Sequence, residues 1–541
     1  MNEIACGDVI VAGSGVSGIH AAFPLVEAGR TVTMLDVGYT DDTYASLVPD
    51  KPFAEIRRRD WGQHRYLLGD QFEGIDFNPV GATSLIMPPR QYILRDPANL
   101  APLHAPWFAA LVSLARGGLA CSWGAVSFPF TDSELSRCGF VPHEMSPHYE
   151  AVVSHIGVSG CQDDDLAVVR GSLKALQPPL DLDDNARAIL ESYRKHRIRL
   201  HRAGARLGQS LMASLTEPLD RRRPNPYHDL DFYSNPGEST YRPELDMREL
   251  MLRPNFRYER ALVETFEEVS ASRVRVRARL LQNNESVEYE TQAVVLAAGA
   301  LGSARIVLRS LGLFDVSVPL TCNGHIYFPS LLPRQLGKRS TRRRYSMAQL
   351  TMIYDPTRDG QHLVQAQFYP YGSMLFFRLL KESPLAYRES LRLLKALAPV
   401  FAVWGIEHED TQAPGKFVTL RRRGDDSDVL EITFRVDEDQ KRRQRLHENH
   451  MVRLMRHLGS WSIMRVEPVA GSSIHYGSTL PFSDQPRPLT TRTSGRLSGT
   501  QSVYVADGSS FCYLPAKGLT LTLMANARRI GYNVLQRLEA K

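Results

Sequence analysis

The stretch "DVIVAGSGVSGIHAAFPLVEAGRTVTMLDVG", residues 8–38, decides the fold. Val9–Ala12 is a short unbroken apolar run, the pattern of a strand buried on both faces of a parallel sheet. Gly13, Gly15 and Gly18 follow as G-x-G-x-x-G, with Ser17 just before the third glycine. The first glycine permits a tight turn, the second lets backbone approach a pyrophosphate, and the third lets helix pack on strand. The helix that starts here offers unpaired N–H groups to phosphate oxygens. Thr31–Leu35 reads as a second strand, ending in Asp36. An acid at that place accepts hydrogen bonds from ribose hydroxyls and disfavours a 2′-phosphate. Strand, glycines, helix, strand and acid in register predict a dinucleotide-binding βαβ unit. Pro24 lies inside the helix, where proline costs about 3 kcal/mol. The fingerprint alone does not choose between FAD and NAD.

Three further segments bear on that choice. "SLARGGLACSWGAVSFPF" (113–130) is a second glycine-rich turn, carrying Gly117, Gly118, Ser122 and Trp123. "TQAVVLAAGALGSARIVLRS" (291–310) reads as a buried strand, a tight turn at Ala298 and a helix. "SVYVADGSSFCYLPAKGLTLTLMANARRIGYNVL" (502–535) places Asp507 and Gly508 after a buried strand, then a loop with Lys517, then a long helix. In this order and at these separations, the four segments resemble the glucose–methanol–choline oxidoreductase family. The resemblance covers roughly 1–135, 245–315 and 465–541, and the second glycine-rich segment looks most like the pyranose-oxidase branch.

The resemblance implies an α/β fold: a Rossmann-like FAD-binding domain with a discontinuous α+β substrate domain on an antiparallel sheet. It assigns 1–135, 245–315 and 465–541 to FAD and 136–244 and 316–464 to substrate. It implies FAD contacts at Gly13, Gly15, Ser17, Gly18, Asp36, Gly117, Gly118, Ser122, Trp123, Val263, Ala298, Asp507, Gly508, Leu519 and Thr520. Where some members carry a histidine bonded to the flavin, this chain has Ser122, so non-covalent FAD is expected. "GSSIHYGSTLPF" (471–482) resembles the family's H-x-x-G-T signature in altered form, which gives His475 the role of base. A neutral imidazole suits proton removal near neutral pH. The usual second histidine or asparagine falls on Gly518. Two readings follow: Lys517 or a group from the variable domain substitutes, or the chemistry differs and is redox-neutral. Lys517 is equally open to being a solvent-exposed loop residue.

Implied, then, is FAD-dependent oxidation of a CH–OH group on a small-molecule alcohol, a sugar, aminosugar or glycosylated metabolite, with a non-catalytic flavoprotein as the remaining alternative. The sequence names no substrate or electron acceptor.

Composition is consistent with a globular chain. It has 541 residues, 43% hydrophobic and 23% charged, enough for more than one core. The net charge of +6 over this length does not argue for nucleic acid. The runs "RRR" (57–59), "RRR" (221–223), "KRSTRRR" (338–344) and "RRR" (421–423) are not interleaved with aromatics and read as solvated faces. Forks for an anionic group on the substrate are the alternative. Six cysteines are scattered without a CxxC pair, so neither a disulfide framework nor zinc is expected, and a reducing cytoplasm is the simpler setting. His447 and His450 lack the H-E-x-x-H spacing, so no metal is expected. No signal peptide is expected from the opening residues. The longest apolar stretch, 393–406, is broken by Lys395 and Pro399 and too short to span a bilayer; peripheral membrane contact stays open. Alternation at 362–377 and 416–436 predicts antiparallel strands, and 438–459 an amphipathic helix.

Overall fold

Val9–Ala12 pairs in parallel with Val32–Asp36 on one side and Ala293–Leu296 on the other, and Val503–Val505 extends the same sheet. This is a computed structural model, and it describes residues 3–5, 7–74, 87–171, 173–338, 345–370, 383–424 and 427–540. Both faces of the parallel strands are covered, as their unbroken apolar runs require. Val9, Val11 and Val295 pack with the helices Val16–Glu27 and Thr520–Glu539. Ile10, Ala12, Val294 and Leu296 point the other way, onto Val276 and Val307. The strand Phe256–Ser270 changes partners midway. Its first residues run parallel to Val32–Asp36, and its remainder runs antiparallel to Arg273–Leu280. The resulting eight-stranded sheet has both parallel and antiparallel parts.

Pro24 has a location now. It is buried in the first helix where that helix crosses the last one. A Cβ on Gly531 would stand 2.4 Å from the Ala21 carbonyl oxygen and 3.2 Å from Pro24 Cγ. The two helices are therefore too close for any side chain at 531.

The second large sheet has six strands in the order Trp461–Ser462, Gly324–Leu331, Phe401–His408, Val364–Pro370, Leu350–Tyr354 and Ala205–Gln209, all antiparallel. Period-2 alternation gives it two unlike faces. Ile326, Phe328, Ala366, Phe368, Trp404 and Ile406 form an apolar core with the helices Asp184–Arg202 and Glu438–His457 behind them. His325, Tyr327, Gln365, Gln367, Tyr369 and Glu407 share the opposite face. Both backing helices start at aspartates that accept their own helix N–H groups, Asp183 from Ala186 and Asp437 from Gln440. A four-stranded sheet joins Ser317–Pro319, Lys416–Arg422, Asp428–Phe434 and Leu103–His104.

The α/β architecture is as expected: a Rossmann-like parallel core and an antiparallel sheet backed by helices. The helix expected over 438–459 spans Glu438–His457. The strand at 362–377 appears as Val364–Pro370, and 371–377 lie outside the described residues. The hairpin at 416–436 forms, with 425–426 of its turn outside them too. The apolar stretch 393–406 is the end of helix Tyr387–Leu397 and most of strand Phe401–His408. Among the described residues no helix is long and apolar enough to cross a membrane. One arginine departs from the expectation of a solvated face. Arg222 is buried and donates to the carbonyls of Ile156, Glu238 and Ser239, filling a structural role. Of the run 338–344, only Lys338 is described.

Candidate active site

The first helix begins at Gly15, whose backbone is extended (φ −63°, ψ 172°) and which provides no side-chain cap. Among the described residues nothing lies within 4 Å of where its Cβ would be. The neighbouring glycines are different. A Cβ on Gly13 would meet the Ala297 carbonyl oxygen at 2.6 Å, and Gly13 has φ +105°. A Cβ on Gly18 would sit 1.9 Å from the Gly13 carbonyl oxygen. Two glycines thus serve close packing, and the middle one faces open space. That is the division of labour a bound pyrophosphate requires. The second glycine-rich segment closes on the same spot: a Cβ on Gly118 would stand 3.4 Å from the Gly15 Cα.

Asp36 is tied into this cradle. Ser14 donates to it through Oγ at 2.6 Å and through N at 3.3 Å, and Tyr258 OH donates at 2.9 Å. Ser14 Oγ in turn accepts from Gly117 N–H. Burial raises the Asp36 pKa to about 6, against the pull of these hydrogen bonds. The acid expected to meet a ribose therefore also joins the two glycine-rich segments.

Asp507 holds the far side. Its carboxylate accepts from Gly299 N–H (2.9 Å), Ser303 Oγ (2.6 Å), Ser509 N–H (2.9 Å) and Ser509 Oγ (2.5 Å). Four donors leave it little capacity for a ligand. It locks the turn after Ala293–Leu296 to the turn after Val503–Val505. Gly508 then brings the chain against the 475–477 segment: a Cβ there would stand 2.7 Å from the Tyr476 carbonyl oxygen.

The other residues expected at the cofactor are distributed as follows. Ser17 is buried on the first helix, and Val263 is buried beside a bulge in its strand. Ala298 N–H donates to Ser303 Oγ at the start of helix Gly299–Ser310. Leu519 is buried and precedes Thr520, the first residue of the final helix, which has no side-chain cap. Ser122 Oγ donates to the Leu119 carbonyl, and the Trp123 indole donates to the Tyr241 carbonyl at 2.9 Å.

His475 sits on a bent segment. Ile474 has φ +63° and Ser478 φ +69°, uncommon for any residue but glycine and most so for the β-branched Ile474. Tyr476–Gly477 pairs with Thr321–Cys322 between these bends. Strain of this kind persists where packing over-determines it. Here Tyr476 OH donates to Gly471 O and accepts from Leu111 N–H. The imidazole is half-buried; its Nδ1 is buried and has no partner. Burial lowers its pKa to about 4, so the ring is neutral at pH 7 and holds an acceptor nitrogen.

Lys517 is not a solvent-exposed loop lysine. It is 1% exposed, and its ammonium bonds Glu134 Oε2 at 2.7 Å and the Pro129 carbonyl at 3.3 Å. Glu134 also closes a capping box with Thr131. Next to Lys517, Gly518 has room: a Cβ there would lie 3.5 Å from the Val126 carbonyl oxygen, ordinary contact.

The polar face of the six-stranded sheet supplies residues the motifs did not announce. Glu407 pairs in register with His325 on one side and Gln365 on the other. Gly405, directly opposite Tyr327, leaves space for the His325 ring, whose Nε2 would stand 2.6 Å from a Cβ at 405. His325 lies within electrostatic reach of His475, and Glu407 of Lys517. Asn323 clamps the loop to the sheet, donating to the carbonyls of Pro515 (2.6 Å) and Lys517 (3.3 Å). The sheet, the 475 segment and the 515–518 loop thus converge. Buried polar atoms without a partner collect here: His475 Nδ1, His325 Nε2, Glu407 Oε2, Asn323 Oδ1 and both amide atoms of Gln365. Native structures leave few such atoms, so a cluster of them calls for partners such as ordered water or a bound molecule. Period-2 alternation in "GHIYFPSL" and "VQAQFYP" exposes this face in the sequence, but not that anything covers it.

Glu407 makes stability depend on pH. Its pKa is raised from 4.5 to about 7 by burial, with Lys517 acting against the rise. A raised carboxylate contributes stability that is present below the unfolded value and lost as pH rises through the folded one. Glu407→Gln is expected to match the parent chain in denaturant unfolding near pH 4.5. Above pH 7 it should exceed the parent by up to about 3 kcal/mol. Equal stability at both pH values would mean that Glu407 titrates normally.

No known family profile matches the chain, and no curated protein sequence is similar to it. Among solved structures it is similar to the crystal structure of pyridoxine 4-oxidase from Mesorbium loti, with a TM-score of 0.55 and 13% identity over 98% of this chain and 99% of that one. At that identity the shared property is the fold, and it extends over essentially the whole length of both chains.

Proposed function

We propose that the chain binds FAD non-covalently in the Gly15 cradle and oxidises a CH–OH group of a small-molecule alcohol to a carbonyl. The observation that carries this is the cluster of unpartnered buried polar atoms around His475, at the far end of a cradle with dinucleotide geometry. The full-length likeness to an enzyme named an oxidase supports it. The uncapped start of the first helix at Gly15, Gly118 and the ends of Val9–Ala12 and Val32–Asp36 fit the adenine half of the cofactor. When bound, FAD supplies the hydride acceptor. The protein supplies the rest. His475, neutral at pH 7, takes the hydroxyl proton on its free nitrogen. Asn323, Gln365 and Glu407 orient the alcohol, and Gln367 holds Glu407 Oε1 at 3.3 Å. Sugars, aminosugars and glycosylated metabolites are the alcohols proposed.

Anaerobic bleaching of the flavin by a panel of such alcohols tests this. His475→Ala should slow the bleaching by about 100-fold to 10,000-fold, the usual worth of a positioned base. An unchanged rate would remove His475 from the mechanism. One observation favours a second, redox-neutral reading: Gly518 offers no side chain where a partner for His475 is expected, and Lys517 is committed to Glu134. A product at the oxidation level of its substrate, formed with no electron acceptor, would establish that reading.

A further inference from the structure

Tyr241 accepts the Trp123 indole on its carbonyl and donates its own hydroxyl to Asp246 Oδ2 at 2.6 Å. Asp246 belongs to a cluster that the proposed oxidation does not use. Asp246 and Glu249 stand three residues apart on the helix Pro243–Leu250, so they share one face. His155, next to last on the helix Pro142–Ile156, meets that face, with Nε2 2.9 Å from Asp246 Oδ1. One ligand atom from each of His155, Asp246 and Glu249 lies within 4.8 Å of the other two, and no other three such side chains do so among the described residues. His155 and Asp246 are 91 residues apart in the chain, so no spacing in the sequence announces the cluster.

The three side chains differ in a way that suits a bound cation. Asp246 is 5% exposed and anchored from behind. Tyr241 spends its hydrogen on Asp246 Oδ2, so His20 Nε2, 3.2 Å from the hydroxyl and 3.6 Å from Oδ2, donates to the tyrosine oxygen. Supports of this kind orient a ligating carboxylate. They leave Oδ1 turned toward His155, whose side chain is 36% exposed and gives the cluster access to solvent. Ligands about 2.1 Å from one cation stand about 3.0–3.4 Å apart, close to the His155–Asp246 separation. Glu249 is a third ligand that a His–Asp bond does not need. Its own bond to Arg253 is an exposed pair four residues along the helix, of a kind that contributes little. Arg222 lies within electrostatic reach of Asp246, but its guanidinium is spent on the carbonyls of Ile156, Glu238 and Ser239.

We propose that His155 Nε2, Asp246 Oδ1 and a Glu249 carboxylate oxygen hold a divalent transition-metal cation of the Zn²⁺ class, with solvent completing its coordination. One imidazole and two carboxylates suit such an ion, whereas Mg²⁺ and Ca²⁺ favour oxygen alone. The cation takes the place of the hydrogen between Nε2 and Oδ1, and that hydrogen moves to Nδ1 or to solvent. Its role is structural. It fastens Pro142–Ile156 to Pro243–Leu250 and, through Asp246 and Tyr241, steadies Trp123 in the second glycine-rich segment. The site is independent of the flavin and of His475.

The test is calorimetric titration of the full chain, freed of metal with a chelator, with Zn²⁺ and then with Mg²⁺ and Ca²⁺. Zn²⁺ should bind once per chain, tighter than about 10 μM, and raise the thermal unfolding temperature. His155→Ala and Glu249→Gln, both at the solvent side of the cluster, should each weaken this binding at least about tenfold and remove the thermal shift. Tyr241→Phe removes only the support behind Asp246 and should weaken binding by about 10- to 100-fold. Circular dichroism of the metal-free variants confirms that each is folded. A parent chain that takes up no Zn²⁺ would overturn the inference. So would Zn²⁺ that binds the His155→Ala and Glu249→Gln chains as it binds the parent, since it would then sit on other side chains. Mg²⁺ or Ca²⁺ bound as tightly as Zn²⁺ would overturn the class of cation.

Discussion

Gly15→Val should fold like the parent chain and purify without flavin, whereas Gly18→Ala should fail to reach a stable native state. The two positions are three residues apart in one motif, and only geometry separates them. Gly15 has an extended backbone that any residue adopts, and its missing Cβ faces open space. Valine there strains nothing in the protein and fills the place of the pyrophosphate. A loss of at least about a hundredfold in FAD affinity, about 2.7 kcal/mol, is expected. Gly18 faces the Gly13 carbonyl oxygen at 1.9 Å from its would-be Cβ. That atom is backbone in the central turn and cannot swing aside. Helix and strand must separate, at a cost of about 3 kcal/mol or more. Circular dichroism, thermal unfolding and the flavin content of both variants check the pair. A Gly15→Val protein with full flavin would show that the open space at Gly15 is not the cofactor's.

Lys517→Met should lower the unfolding free energy by about 3–5 kcal/mol, the usual consequence of removing one partner from a buried ion pair. Glu134 would be left without its cation at 1% exposure, with the Thr131 N–H as its remaining bond among the described residues. The double variant Lys517→Met/Glu134→Gln should recover much of the loss, because a neutral amide still accepts from Thr131. Denaturant unfolding of the three variants gives the coupling. If Lys517→Met unfolds like the parent and only catalysis suffers, the ammonium acts on the substrate and its pairing with Glu134 is incidental.

Sequence patterns located the cradle more completely than the substrate site, for a physical reason. Gly18 against the Gly13 carbonyl, Asp36 against the Ser14 hydroxyl and the positive φ of Gly13 all belong to one βαβ unit, so their spacing along the chain carries their arrangement in space. The place of Asp507 after a buried strand is legible, and so are its two bonds from Ser509, but the two from Gly299 and Ser303 depend on a contact about two hundred residues away in sequence. In sequence Lys517 is ambiguous between solvent and site, because its partner Glu134 is defined only when two distant segments meet. Glu407, Gln365 and His325 carried no motif. Each sits at an alternate position on a strand, which tells the face but not what covers it. Arg222 shows the converse: an arginine run looks solvated in sequence, and its middle residue is buried on carbonyls.

Most direct for the whole reading is the visible absorption spectrum of the purified chain, followed by acid precipitation and identification of what is released. A yellow protein that gives up one FAD per chain into the supernatant is the expected result. A colourless protein that takes up no added FAD would contradict the cradle at Gly15, and colour retained in the pellet would contradict non-covalent binding.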